Sequence, residues 1–419
     1  MNKTSKLLFL ILFAFGVLSC EELDQLGTIP PNENPADPVT PDWSKINPQF
    51  GFTGLQQLAE ESPSSNIILS PLSIELALSM TANGTTGETY EGMKETLFQK
   101  GVLQEVVNSH FLSLTNDYNA REKVELNLAN SIWIREGFPV KSAFLETNES
   151  YYQATVRELD FGAADALDQI NGWVSEKTQD KIPTILDKIP ADAVMYLINA
   201  IYFQGNWLSP FDTFRTQTLP FTLEAGSSED REFMIQEERL VYLEGSDFLA
   251  VSLPFKDSTI GMSLFLPSQG LPLSTWSQSV TVDQWQEWNE KLAYPTPENR
   301  PPLVKLSLPK FELTYEKKLN DLLKDMGMEA AFSAGIADFS PMTDIQVYID
   351  EVKHKTYLKI DEYGAEAAAV TSVGIVETSL PIIEKEITID RPFMVVLHDY
   401  ERGNILFVGL VYDPESPSK

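Results

Sequence analysis

The stretch "IDEYGAEAAAVTSVGIVETSLP", residues 360 to 381, decides how the rest of the chain is read. It opens on charges and then runs through small and β-branched residues with hardly a large side chain. Such residues favour extended backbone, yet the run is too long and too lightly built for an ordinary strand. No proline interrupts it from Glu362 to Leu380, and the first is Pro381. Proline cannot donate to a strand ladder, so its absence leaves every N–H free to pair. Side chains alternate between the faces of a strand. One face reads Ala365, Ala367, Ala369, Thr371, Val373, Ile375, and the other Glu366, Ala368, Val370, Ser372, Gly374, Val376. The first face is small enough to enter a packed core, and the charge of Glu366 falls on the second.

The surrounding 419 residues are 43% hydrophobic and 11% aromatic, enough for a substantial globular core. The formal charge of −30 argues against nucleic acid and anionic membrane surfaces as partners. It reads as a solvated acidic surface, or else as a face that attracts basic partners. The three histidines, His110, His354 and His398, have no second histidine or cysteine at a metal-ligand spacing. There is no G-x-S-x-G elbow, P-loop or G-x-G-x-x-G. No metal or cofactor is therefore expected, and the chain does not read as an enzyme. A hydrolase would need the fold to assemble a triad around His354 or His398.

At the N-terminus, Lys3 and Lys6 precede an apolar run from Leu7 to Leu18, which reads as a signal peptide over residues 1–19. The sole cysteine, Cys20, follows it in "VLSC". This resembles the lipobox of bacterial lipoproteins, which implies lipidation of Cys20, a membrane anchor and a place in the cell envelope. The other reading is an ordinary secretory signal with a chance cysteine. Residues 20–42, with "GTIPPNENPADPVTPD", read as a flexible tether, and residues 43–415 as one folded domain held by its core without disulfides.

Within that domain the pattern is α+β, with helices gathered early and strands late. "SPLSIELALSMTANG" predicts a helix capped by Ser70, opened by Pro71 and ended at Asn83-Gly84. "ETYEGMKETLF" and "ALDQINGWVSEKTQD" predict further helices, and "YEKKLNDLLKDMG" an amphipathic one closed by Gly327. "VELNLANSIWI" alternates as a strand does, and "AVMYLINAIYFQGNW" predicts a central strand covered on both faces.

"IDEYGAEAAAVTS" resembles the hinge of the reactive-centre loop in serpins, the serine-protease-inhibitor superfamily. In the family's order along the chain, "NIILSPLSIELALSMTANGTTGET", "LINAIYFQGNWLSPF", "LSLPKFELTYEKKLNDLLKDMGMEAAFS" and "RPFMVVLHDYERGNILFVGLVYDP" resemble four more of its segments. The resemblance runs from about Trp43 to Pro414. It implies a serpin fold of three β-sheets with about eight or nine helices and an exposed loop over about residues 362–383. It further implies a monomer that traps target proteases covalently and inserts the cleaved loop as a new strand.

The resemblance also assigns roles. Glu362, Gly364, Ala365, Glu366, Ala367, Ala368 and Ala369 match the hinge. Ser70, Ser73, Asn199 and His354 match the shutter, a buried cluster under the strands that part. Trp207 matches the aromatic at the breach, where insertion begins; plain core packing is its other reading. Counting sixteen residues from Glu362 puts the scissile bond at Thr378-Ser379, with Glu377 or Val376 as bait if the count slips. Counting back from "DRPF" gives Pro381-Ile382 instead. With no basic residue in "IVETS", elastase-like and subtilisin-like targets fit better than trypsin-like ones. A serpin without inhibitory activity, acting as a binding protein, is the alternative.

Overall fold

The computed structural model describes residues 39–293, 300–365 and 382–415. In chain order these form α1 (Trp43–Glu61), β1 (Ile67–Leu69), α2 (Pro71–Ala82), α3 (Gly87–Thr96), α4 (Gln104–Asn119), β2 (Val124–Arg135), α5 (Ser142–Tyr152), β3 (Thr155–Leu159), α6 (Ala166–Lys177) and β4 (Met195–Asn206). The strands β5 (Gln217–Thr222), β6 (Ser228–Arg239), β7 (Val241–Glu244), β8 (Phe248–Pro254) and β9 (Ile260–Pro267) come next, then α7 (Leu273–Gln278) and α8 (Val282–Leu292). The chain closes with β10 (Leu303–Pro309), β11 (Phe311–Lys318), two short helices at 320–323 and 329–332, β12 (Lys353–Asp361), β13 (Gly364–Ala365), β14 (Lys385–Thr388), β15 (Phe393–Asp399) and β16 (Ile405–Val411).

Three sheets result, as the resemblance implies. The largest has the order β11-β12-β13-β4-β2-β3. A second six-stranded sheet runs β1-β16-β15-β9-β8-β7, and a four-stranded one β14-β10-β6-β5. The burial of β4 explains its composition. Ile198 and Ala200 join Trp133 and the α6 residues Ile170, Trp173 and Val174 in one cluster. Ile201 and Phe203 pack with Leu72, Leu76 and Met80 of α2 in another. Helices thus cover both faces, which is why the strand carries consecutive apolar residues. The hairpin β15–β16 is buried throughout and divides two cores: Val395 and Leu397 face one, Met394 and Val396 the other.

Helix α2 starts and stops where expected. Ser70 accepts a hydrogen bond from the Ser73 N–H at 3.4 Å, Pro71 opens the first turn and Asn83 caps the end. The helix expected over "YEKKLNDLLKDMG" is corrected. Tyr315 to Lys318 belong to β11 and pair residue by residue with β12. Glu316 bridges to Lys353 at 2.6 Å and Lys355 at 3.0 Å across that ladder, so cross-strand partners override local helical periodicity. Only Asn320–Leu323 is α-helical there, and Gly327, at φ +124°, lets the chain turn where another residue would be strained.

Arg121 at the end of α4 ties the helix to the C-terminal hairpin. Its guanidinium meets Asp257 at 2.8 Å, Asp399 at 3.1 Å and Asp117 at 3.2 Å, and Asp399 is fully buried. Replacing Arg121 by methionine leaves a buried carboxylate short of its main counter-charge. The expected cost is about 3–5 kcal/mol of stability, read as a lower denaturant midpoint with an unchanged slope.

Candidate functional site

The site is built where β12 turns into β13. Asp361 and Gly364 are antiparallel partners across that turn, as are Ile360 and Ala365. On its other edge β13 pairs with β4, Gly364 with Asn206 and Ala365 with Gly205. The two described residues of β13 therefore lie as a strand between β12 and β4, bonded to both. Ala365 is fully buried in the main core, on the face where the alternation puts small residues. Gly364 has φ +150°, and a Cβ there would stand 1.9 Å from the Gly205 carbonyl oxygen, so only glycine fits.

Trp207, Phe211, Thr216 and Lys310 hold this root. The Trp207 indole N–H donates to the Asp361 carbonyl at 2.9 Å, and its backbone N–H to the Tyr363 carbonyl at 2.8 Å. Its ring stacks on Phe255 with centroids 4.6 Å apart. Glu362 is buried; its carboxylate accepts from the Thr216 hydroxyl at 2.6 Å and from Lys310 Nζ at 3.2 Å. Its carbonyl accepts from the Phe211 N–H at 2.9 Å. Burial pushes the Glu362 carboxyl up, but Thr216, a backbone hydrogen bond and Lys310 outweigh it, and the net shift is downward. Lys310 also bridges to Glu232 at 3.3 Å.

Lower in the sheet, three of the four residues assigned to the shutter meet. The Ser70 N–H donates to His354 Nε2 at 3.1 Å, and the Ser73 N–H to the Ser70 hydroxyl. Burial alone drives His354 down to about 3, so it is neutral and serves as acceptor. Asn199, the fourth, makes its hydrogen bond to another strand. Its amide donates to Asn130 Oδ1 at 2.9 Å, directly across the β2–β4 pairing, whereas Ser70, Ser73 and His354 bond to one another. The reason is its register: Asn199 lies on β4 opposite Asn130, whereas the other three join β12 to α2.

Sequence reading missed Asn130, Thr216, Lys310 and Thr356, whose hydroxyl donates to the Ile68 carbonyl at 2.7 Å. Asn130 alone carried a signal, a polar residue on the same face of β2 as Leu126, Leu128, Ile132 and Ile134. The hinge residues Glu366, Ala367, Ala368 and Ala369, the bait residues Val376, Glu377, Thr378 and Ser379, and Cys20 lie outside the described residues.

His398 does acquire triad-like neighbours. Its Nε2 lies 2.8 Å from the Ser263 hydroxyl and its Nδ1 2.7 Å from Asn289 Oδ1. Both Ser263 and His398 are fully buried, and burial holds His398 at about 3, far below the range of a working general base. Trp285 and Tyr400 pack edge-on against the ring. A carbonyl substrate has no approach to this serine, so the cluster satisfies polar groups within the core.

The sequence model of the family described as serpin (serine protease inhibitor) matches residues 45–414. Human leukocyte elastase inhibitor is 31% identical over 88% of this chain and 99% of that protein. A serpin-like protein of Methanosarcina acetivorans is 32% identical over 89% of this chain and 88% of that one. Among solved structures, the native state of tengpin, a thermophilic serpin, superimposes with a TM-score of 0.78 at 31% identity, covering 90% of this chain and 95% of that one. Human thyroxine-binding globulin with its thyroxine does so with a TM-score of 0.79 at 27% identity, covering 89% and 99%.

Two outcomes follow from the geometry. Glu362→Gln keeps the Thr216 bond and removes the charge facing Lys310; an unfolding titration at pH 7 should show a loss of about 1–3 kcal/mol. That contribution is present above the ordinary carboxyl range and is lost as pH falls through the depressed folded value. For His354, stability is fully present above about 6.5 and declines as pH falls toward 3. His354→Gln should flatten part of the slope of denaturant midpoint against pH between 6.5 and 4.

Proposed function

Since the chain belongs to the serpin family, we propose that it is a suicide inhibitor of serine endopeptidases, with cysteine endopeptidases as further targets. The observation that carries this reading is the placement of β13. The root of the loop already occupies a strand position between β12 and β4, and the residues that follow in sequence are free of proline and lightly built. A strand entering there gains main-chain bonds on both edges.

The chemistry belongs to the protease. Its serine oxygen attacks the carbonyl carbon of Thr378, the bond to the Ser379 nitrogen breaks, and the new amine leaves with a proton. An ester acyl-enzyme remains. Insertion of the freed loop then carries the tethered protease away before water attacks the ester. Trp207 and the Glu362–Lys310 pair act as the fastening at which insertion starts, and the Ser70–His354 contact as the point where β12 is held to α2 below. Elastase-like and subtilisin-like enzymes suit Thr378 or Val376, and the human relative is named for inhibition of leukocyte elastase. Lipidation of Cys20 places the inhibitor on the cell envelope as a monomer at the end of its tether.

A second reading, a binding protein without inhibitory activity, draws on the equal structural likeness to thyroxine-binding globulin. Incubation of the purified protein with pancreatic elastase and with subtilisin separates the two. The inhibitor reading expects a band at the summed mass that survives denaturing electrophoresis, and a released C-terminal fragment beginning at Ser379. It also expects the cleaved protein to melt well above the intact one, because a strand has been added. Cleavage without the band and with an unchanged melting temperature, repeated with glutamyl, trypsin-like and cysteine proteases, would establish the binding-protein reading.

A further inference from the structure

One buried acid takes no part in the site above. Glu75 lies on the inner face of α2 and is 2% exposed. It lines a small cavity with Trp43 and Asn47 of α1, Leu72 of its own helix, His110 of α4 and Asn404 of the β15–β16 turn. The space is about 10 Å³ for the centre of a water molecule, room for one. The amide of Asn47 donates to Glu75 Oε2 at 2.7 Å, and Asn47 Oδ1 accepts from the Ile405 N–H at 2.6 Å. Asn47 thus joins Glu75 to the first residue of β16. Glu75 Oε1 has no hydrogen-bond partner among the described residues.

Among the described residues no cation lines this cavity. From α1 the facing groups are Trp43, Ile46 and Asn47, from α4 His110, Phe111 and Leu114, and from the turn Asn404. The His110 ring stacks flat on Trp43 at 3.8 Å, and burial, helped by the charge of Arg402, lowers it to about 4, so it is neutral. Arg402 is itself engaged by Asp117 at 3.2 Å and Asp399 at 3.5 Å, and Lys45 by Asp283 at the surface. A carboxylate here would be a buried negative charge with one neutral donor, which is costly. A carboxylic acid fits: Oε2 accepts from Asn47, and an Oε1–H would need only one acceptor, for which a water has room in the cavity.

We propose that Glu75 is a proton-operated latch: neutral, it stays buried and joins α1, α2 and the start of β16, and when it ionises the cost of an unsolvated charge exceeds the gain in the Asn47 bond, so the joint opens to water. The latch lies on the helix whose cap, Ser70, holds His354 of β12, so its release slackens the support under the large sheet. The inference rests on this cavity alone and not on the inhibitory reading.

Burial raises Glu75 to about 8, with the Asn47 bond opposing. The folded state therefore binds the proton more tightly than the unfolded one. Its contribution is full below about 4.5, shrinks as pH rises, and is gone above about 8. His110, His354 and His398 are held neutral by burial and act in the opposite sense, only below 6.5. Lys94, lowered by burial to about 8, acts only above that. The interval from pH 6.5 to 8 isolates Glu75 from these groups.

The test is a set of denaturant titrations across that interval on the purified protein and on Glu75→Gln, which keeps an acceptor for Asn47. The ratio of the wild-type folding constant to that of the variant should fall about tenfold per pH unit. Parallel slopes would overturn the proposal. Infrared spectra of the wild type supply a readout that needs no folded variant. A carbonyl stretch of a protonated, buried carboxyl should be present at pH 7 and fade as pH passes about 8. A spectrum at pH 7 without that band overturns the latch equally.

Discussion

The large sheet depends on how main-chain groups are partnered between β12 and β4. Both strands bond to the same two residues, Gly364 and Ala365. A row of backbone donors and acceptors inside a protein requires partners. Whatever chain continues that row must therefore offer an N–H at each step and side chains small enough for a filled core. The sequence over 365–376 has the composition such a row asks for: no proline, small or β-branched side chains on the face that starts at Ala365, and its single charge, Glu366, on the other.

Polar groups in the interior gather at the joints between elements. Glu362 and Lys310 fasten the root of the loop, Ser70 and His354 hold β12 to α2, Asn130 and Asn199 face each other across β2 and β4, and Arg121 locks α4 to the last hairpin. Each is surrounded by apolar packing that supplies most of the stability. Such pairs add little net stability over well-packed apolar residues, yet breaking one leaves a stranded group. They fix where elements sit against each other.

Much of this was legible along the chain. The caps of α2 rest on local chemistry: a serine hydroxyl, a proline in the first turn and an asparagine at the end act within a few residues of themselves. The doubly covered β4 was legible because burial on both faces removes the usual alternation. What the linear pattern did not carry had tertiary causes. Tyr315 to Lys318 satisfy helical periodicity, but Lys353 and Lys355 on a strand far along the chain draw them into a ladder. Asn199 stood among four matched positions, and the register of β4 against β2 sent its amide to Asn130. Thr216 and Lys310 carried no local mark, since their meaning comes only from Glu362, which lies 146 and 52 residues away.

By itself the sequence determined the family, the order of the elements and the character of the loop, because these rest on short-range patterns: proline placement, alternation and capping. Tertiary structure alone decided the partners. It set Trp207 against the Asp361 carbonyl, gave His398 a serine and an asparagine yet sealed them in the core, and left Glu75 facing a cavity with one neutral donor. The physical reason is common to all three. A side chain's role in the interior is fixed by burial and by the few polar groups within hydrogen-bond reach, and those arrive from elements that the linear pattern does not connect.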